Sequence, residues 1–335
     1  MNSYETLKKL IEIDSPSGFT GKATEYITDL LKSYGWQPEY TKKGAVRCKL
    51  GEQPKLAIAA HTDTLGAIVS GINSNGTLAV SKIGGPLLPS FEGGYVRIHT
   101  LDGHIYEGTL MLNNPSAHAN NEAEKKNRTA EAMHIRLDEN VKSAADVRAL
   151  IIRNGDFICF DPRYCELPNG YIKSHFLDNK AGCYVLFEIA RKIAEAGRTV
   201  PVELFFSTYE EVGHGGAAGY SPSIEKMLTI DMGVLGDQCE GDETSCSICA
   251  KDSSGPYDYE FRKTLVNLAE YNNISYKLDI YPYYSSDGTA AQRAGQDVRV
   301  ALIGPGVAGS HGAERTHKKG IEATIDLCMA YIDTL

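Results

Sequence analysis

The 335-residue chain has no apolar run approaching the roughly eighteen residues that a bilayer-crossing helix needs, so no membrane partner is expected. Its first residues, MNSYETLKKLIEID, lack the apolar core of a secretion signal, and the chain reads as cytoplasmic. Positive charge is not concentrated anywhere beyond Lys125-Lys126 and their neighbours, and the formal net charge is −9. Nucleic-acid binders gather basic side chains against phosphates, so nucleic acid is excluded as the expected partner. Internal repeats and low-complexity tracts are absent. A disulfide framework is missing too: Cys48, Cys159, Cys183 and Cys328 stand alone inside apolar stretches and read as reduced core thiols. One Cys246-x-x-Cys249 pair, with Cys239 nearby, has no second pair to complete a zinc site, so a plain structural role is expected for it.

What is present is an ordinary folded composition, 42% hydrophobic and 23% charged. The length exceeds the usual size of a single core, which favours two. Leu7, Leu10 and Ile11 share a helical face, as do Ile27, Leu30, Leu31 and Tyr34 before Gly35 ends the pattern. Strands follow at AVRCKL (45–50) and KLAIAA (55–60), the second apolar enough to be covered on both faces. From residue 68 to 164 the texture becomes short alternating stretches joined by Asn75-Gly76 and Asp102-Gly103, dipeptides suited to tight hairpin turns. That is an inserted, barrel-like all-β domain, interrupted by the polar stretch HANNEAEKKNRTAEA (118–132), read as a mobile or helical excursion. Helix and strand then alternate again: a helix from Asn179, VELFFS (202–207), MLTID, a helix over Phe261–Tyr271, YKLDIY, VRVALI and a helix around Ile321–Tyr331. The expected fold is α/β, a mainly parallel sheet with helices on both faces, formed by residues 1–67 and 165–335 with the β domain inserted between them.

Acidic and histidine residues fall where strands end, the position at which open α/β sheets place their sites. His61 and Asp63 follow KLAIAA directly. Residues two apart in a strand face one side, so the Asp63 carboxylate is expected to take one ring N–H of His61 while the other nitrogen binds a metal. Asp178 in FLDNKAG opens a helix, where a simple N-cap is the competing reading. Glu210 and Glu211 end the very apolar VELFFS. Adjacent carboxylates there repel and are costly to desolvate without a compensating cation, and one of them can ligate while the other faces the reacting water. Asp231 ends another apolar strand. His311 and His317 both precede the last helix, and either can be a ligand or a polar loop residue. Together these residues form a hard-to-borderline ligand set suited to zinc, cobalt or manganese.

The motifs AHTD, LDNKAG, EEVG, IDMG and a late His, in this order and with a β insert after the first, resemble metallopeptidase family forty-two, the tetrahedral and glutamyl aminopeptidases. The similarity runs over nearly the whole chain and includes GDFICFDPR. It implies two divalent ions, zinc or cobalt with manganese as a third choice. His61 and Asp231 would hold one, Glu211 and a C-terminal His the other, with Asp178 bridging. It also implies that Asp63 orients His61, that Glu210 is the general base for an attacking water, that peptides are the substrates, and that the β domain builds dimers to dodecamers. The final loop departs from the family pattern, because SHGAERTHKKG lacks the usual proline after the histidine. Counting back from the last helix favours His311 over His317 and puts Glu314 near the family's Glu. His214 stands where an apolar residue is usual, and Arg315 is read as a binder of a substrate carboxylate or a partner of Glu314. The altered loop keeps a dimetal deacylase or amidohydrolase open as an alternative, and a non-catalytic assembly protein is the third reading.

Overall fold

The computed structural model describes residues 4–335. The chain divides into two compact units, one comprising the chain up to Thr64 together with Arg163–Leu335, the other Leu65–Pro162. These divisions lie a few residues N-terminal to the 67/68 and 164/165 expected from sequence.

The larger unit is built on strands β1 (Val46–Lys49), β2 (Leu56–His61), β3 (Val202–Ser207), β4 (Lys226–Ile230), β5 (Cys246–Asp252), β6 (Tyr276–Ile280) and β7 (Arg299–Val307). They run in the order β1-β3-β2-β4-β7-β5, with β6 paired to β5. The centre, β3-β2-β4-β7, is parallel, whereas β1 and β5 are antiparallel to their inner neighbours. Side chains alternate between two cores with the period of two that a strand imposes. Leu56, Ile58, Ala60, Leu204, Phe206, Leu228, Ile230 and Ile303 join one cluster, while Ala57, Ala59, Phe205, Met227, Val300 and Leu302 join the other. The first face is covered by helices α1 (Tyr4–Glu12), α2 (Gly21–Ser33), α3 (Leu177–Glu195), α4 (Tyr259–Tyr271) and α6 (Lys318–Ile332). The second face holds α5 (Asp287–Arg293), whose Ala291 packs on the small Ala57 and Ala59 side of β2. The strand KLAIAA is thus covered on both sides, as its composition requires.

β5 went unrecognised in the sequence because its apolar run is short and broken by serine, and it disposes of the Cys-x-x-Cys pair. Cys246 points into the first core and Cys249 into the second, since residues three apart on a strand face opposite sides. Their thiols cannot share a metal ion.

In the smaller unit, Gly66–Ile72, Leu78–Ile83, Met133–Leu137, Ile105–Leu112, Tyr95–His99 and Phe157–Phe160 close into an antiparallel barrel. Gly76 and Gly103 adopt φ of 82° and 90° at the two expected hairpin turns. The polar excursion is mostly exposed turns ending in one turn of 3-10 helix, Ala130–Ala132, and not an α-helix. Among the described residues no helix is long and apolar enough to cross a membrane.

Candidate metal centre

The parallel register puts His61 level with Ser207, so the turn after β3 and the residue after β4 reach the same end of the sheet. His61, 1% exposed, closes β2. Its Nε2 lies 3.0 Å from Asp178 Oδ1, 3.7 Å from Glu210 Oε2 and 3.9 Å from Asp231 Oδ1. On the other side of Asp178, His311 Nε2 is 3.6 Å from Asp178 Oδ2 and 3.5 Å from Glu211 Oε2. Two triads result, His61–Asp178–Asp231 and Asp178–Glu211–His311, each with its donor atoms within 4.8 Å of one another and both containing Asp178.

Local structure explains how each group arrives. Asp178 does not cap α3: its backbone and that of Asn179 are non-helical, and its carboxylate is turned to His61. Asn179 takes the capping part instead, its Oδ1 accepting from Gly182 N–H at 3.1 Å while its Nδ2 donates to the carbonyl of Ile230 at 2.8 Å. One side chain therefore starts the helix and ties it to the strand end carrying Asp231. Glu314 does a similar job between the triads. Its two carboxylate oxygens accept the backbone N–H groups of Asp178 (3.2 Å) and His311 (3.1 Å), holding His311 at a left-handed φ of 60° that only a constrained loop maintains in a non-glycine residue.

The role expected of the Asp63 carboxylate is not the one it has. The His61 Nδ1–H donates to the main-chain carbonyl of Asp63 at 2.9 Å, with the nearer carboxylate oxygen at 3.7 Å. β2 has ended at His61, so strand alternation no longer governs residue 63. The carboxylate, fully buried, accepts instead from the Ser17 hydroxyl and from the backbone N–H groups of Glu210 (3.1 Å) and Glu211 (3.3 Å). It anchors the turn that carries both glutamates. Replacing it, Asp63→Asn, puts an amide NH2 against one of those N–H groups and should lower turnover about 10- to 100-fold, the usual effect of removing a supporting group, with metal content retained. Steady-state kinetics beside elemental analysis check this, and an unchanged kcat would remove the anchoring role.

Gly304 on β7 is required by Asp231. A Cβ at 304 would stand 1.5 Å from the Asp231 carbonyl oxygen, which must move. Gly304→Ala is expected to cost about 1–3 kcal/mol of stability, as overpacking does, and a denaturant midpoint equal to wild type would contradict it.

Electrostatics mark the cluster as short of positive charge. Burial, then Asp178, pushes the Asp231 carboxyl up to about 8. Burial first, with neighbouring carboxylates, raises Glu210 and Glu211 well above the ordinary range. Burial alone would lower His61, but the Asp178 hydrogen bond and the carboxylates of Glu210 and Asp231 carry it well above its usual value. One oxygen of Glu211, Oε1, is buried without a hydrogen-bond partner. Buried carboxylates in this number need cations or protons, and a nitrogen-and-oxygen donor set in two adjoining triads fits two divalent ions of the zinc, cobalt or manganese type.

His317 is placed elsewhere: its Nδ1 accepts from Lys319 N–H at the start of α6 and its Nε2 donates to the Asn169 carbonyl, both at 3.0 Å, so both ring nitrogens are engaged. His214 is exposed and stacks on Tyr209 with ring centroids 5.0 Å apart. Arg315 pairs with Glu243 at 2.6 Å, not with Glu314. Two residues unnoticed in the sequence also face this region. Asp287, the first residue of α5, is buried and accepts from the Ser207 hydroxyl; the Ser286–Thr289 capping box was a readable signal for the helix, but not for the carboxylate's burial. Tyr284, three residues earlier, has a buried hydroxyl whose pKa is raised well above the ordinary range by burial and then by the charges of Asp231, Asp178 and Glu210, and no sequence motif announces it.

Residues 44–327 match the model of the family described as M42 glutamyl aminopeptidase. The candidate aminopeptidase YhfE of Bacillus subtilis (strain 168) is 42% identical over 337 residues, covering 99% of this chain and 97% of that one. A TET aminopeptidase from a marine-sediment Thaumarchaeota archaeon superposes with a TM-score of 0.90 at 22% identity, covering 99% of this chain and 96% of its own. The TET1 peptidase of Pyrococcus horikoshii, which can assemble into a tetrahedron or a large octahedral shell, gives 0.85 at 21% identity and 99% coverage of both chains. At those identities the structures speak for the fold.

Proposed function

The chain belongs to the M42 glutamyl aminopeptidase family and is a peptide-bond hydrolase of the aminopeptidase type; on that premise we propose that it removes N-terminal residues from peptides with two divalent ions and Glu210 as general base. The observation that carries the reading is the pair of ligand triads sharing Asp178, with Glu210 beside the first of them. His61 and Asp231 would hold one ion and Glu211 and His311 the other, with Asp178 placed to serve either. Zinc or cobalt is the proposed metal. When bound, such a pair lowers the pKa of water and offsets negative charge on the substrate carbonyl oxygen.

The rest of the reaction falls to side chains of the chain itself. Glu210 takes a proton from the attacking water at Oε2 and returns it to the departing amine as the C–N bond breaks, which requires a carboxylate near the scissile carbonyl and not committed as a ligand. The Asp63 carboxylate, by gripping the Glu210 and Glu211 N–H groups, keeps the base and a ligand in fixed relation. His61 is oriented by the Asp63 carbonyl at Nδ1, which turns Nε2 toward Asp178, where it would bind metal.

Self-association through the Leu65–Pro162 unit is proposed as well, supported by its exposed Leu87, Tyr95, Leu101 and Ile105. Sedimentation of the protein as a monomer at micromolar concentration would sink that part. A reducing, cytoplasmic setting suits its eight free cysteines.

Incubating the metal-loaded protein with free and N-acetylated peptides, with products followed by mass spectrometry, tests the function. Release of N-terminal residues from free peptides alone is expected. Turnover confined to acylated amino acids would replace this reading with the deacylase, and no turnover of either class would end it.

A further inference from the structure

Tyr284 lies in the segment joining β6 to α5. Its backbone is pinned by Ser253, whose N–H and hydroxyl donate to the Tyr284 carbonyl at 3.0 and 2.6 Å. Its ring meets Tyr281 edge-on, with centroids 5.5 Å apart and planes at 70°. The position is therefore fixed from both the main chain and the ring. The hydroxyl is buried, and its one acceptor at hand is the Asp231 carboxylate, toward which it makes only a distorted contact outside full hydrogen-bond geometry. The charged groups around it are Asp231, Asp178 and Glu210, the first the nearest in effect. Asp231 Oδ1 is already engaged by the N–H of Met232 at 2.7 Å.

A buried donor that meets its acceptor only in distorted geometry is uncommon, because leaving a donor fully unpaired costs about 1–3 kcal/mol. Such a donor, rigidly held beside the groups that would bind and activate the substrate, has the character of a site for an oxygen that becomes negative only during reaction. We propose that the Tyr284 hydroxyl is a catalytic residue that donates a hydrogen bond to the substrate's carbonyl oxygen as it becomes the tetrahedral oxyanion. A phenol, with an ordinary pKa of about 10, carries its proton at neutral pH. It keeps that proton throughout: the water's proton goes to Glu210 and on to the leaving amine, and no bond to hydrogen breaks at Tyr284. This assignment rests on the aminopeptidase reading, and the experiment separates the two.

Tyr281 supplies the internal comparison. Its hydroxyl is also buried outside full hydrogen-bond geometry, but the group it approaches is Ser247, with Cys249 and Asp279 beyond, none of them a proposed ligand. Tyr284→Phe and Tyr281→Phe each delete one oxygen from the same aromatic pair. For Tyr284→Phe, kcat should fall about 10²- to 10³-fold, the range for losing one oxyanion donor, with KM and metal content near wild type. An α-aminophosphonate dipeptide, whose tetrahedral oxygens mimic the oxyanion, should bind more weakly by a similar factor in calorimetry, whereas the product amino acid should bind as before. Tyr281→Phe should match wild type in all five readouts. The assignment is overturned if Tyr284→Phe keeps wild-type kcat, if it loses metal, which would make the hydroxyl a support for Asp231, or if Tyr281→Phe is equally impaired. Failure of the wild-type protein to cleave any free peptide would instead reject the aminopeptidase reading, and phosphonate binding would still report on the hydroxyl.

Discussion

Glu210→Gln is expected to lower kcat by about 10³-fold or more, toward the upper end of what a positioned general base contributes, while metal content stays at the wild-type level. The substitution is nearly isosteric and keeps the Glu210 N–H bond to Asp63, so the turn carrying Glu211 should persist. What it removes is a carboxylate oxygen 3.7 Å from His61 Nε2, close to the first triad but a member of neither. An amide cannot take the water's proton. The check is single-turnover and steady-state kinetics on a peptide substrate beside elemental analysis of the same preparation. Activity within tenfold of wild type would exclude Glu210 as the base, and loss of an ion would make it a ligand.

The second large effect concerns Asp178, the one residue common to both triads. Asp178→Asn withdraws a charge from both ions at once, so both should be lost or bound far more weakly. kcat is expected to drop by at least about three decades, roughly 4 kcal/mol at the transition state. Retention of both ions by this variant would refute the shared-ligand geometry. Chelation of the wild-type protein is the companion measurement and has a defined pH signature. In the metal-free protein the Asp231 carboxyl is raised from 3.8 to about 8, so between these values the folded state holds a proton that the unfolded chain has released. Stability from this group is fully present below the unfolded pKa and is lost as pH rises through the folded one. Glu210 and Glu211, also raised, act in the same direction. The chelated protein should therefore melt at progressively lower temperature from about pH 4 to pH 8, and restoring metal should raise the melting temperature most at the alkaline end, since binding must displace those protons. A chelated protein whose melting temperature rises over that interval would contradict the charge balance described for the site.

Much of this protein could be read from its residues, for identifiable reasons. The strands around KLAIAA, VELFFS and MLTID are apolar on both faces, and a run of that kind has few places to go except the middle of a covered sheet. The hairpin turns at Asn75-Gly76 and Asp102-Gly103 are written in residues that tolerate positive φ. Where the reading stopped, the missing information was long-range. β5 has an apolar stretch too short to declare itself, and only its pairing with β7 and β6 makes it a strand. Nothing in SHGAERTH separates the two histidines by chemistry; their surroundings do, because His317 is occupied at the start of α6 while His311 is turned toward Glu211 by the Glu314 carboxylate. Asp63 stands where the pattern puts it but its carboxylate bonds elsewhere, because β2 ends at His61 and strand alternation does not reach two residues further.

Fold class and the chemical kind of the candidate ligands are legible in the chain, because hydrophobic period and residue type are local properties. Tertiary structure alone decided which carboxylate faces which histidine, what Asp63 grips and where the Tyr284 hydroxyl ends. Those outcomes depend on groups separated by well over a hundred residues, such as His61 and Asp178 or Asp63 and Glu210, meeting within hydrogen-bond distance at one end of a sheet, and no local pattern encodes that meeting.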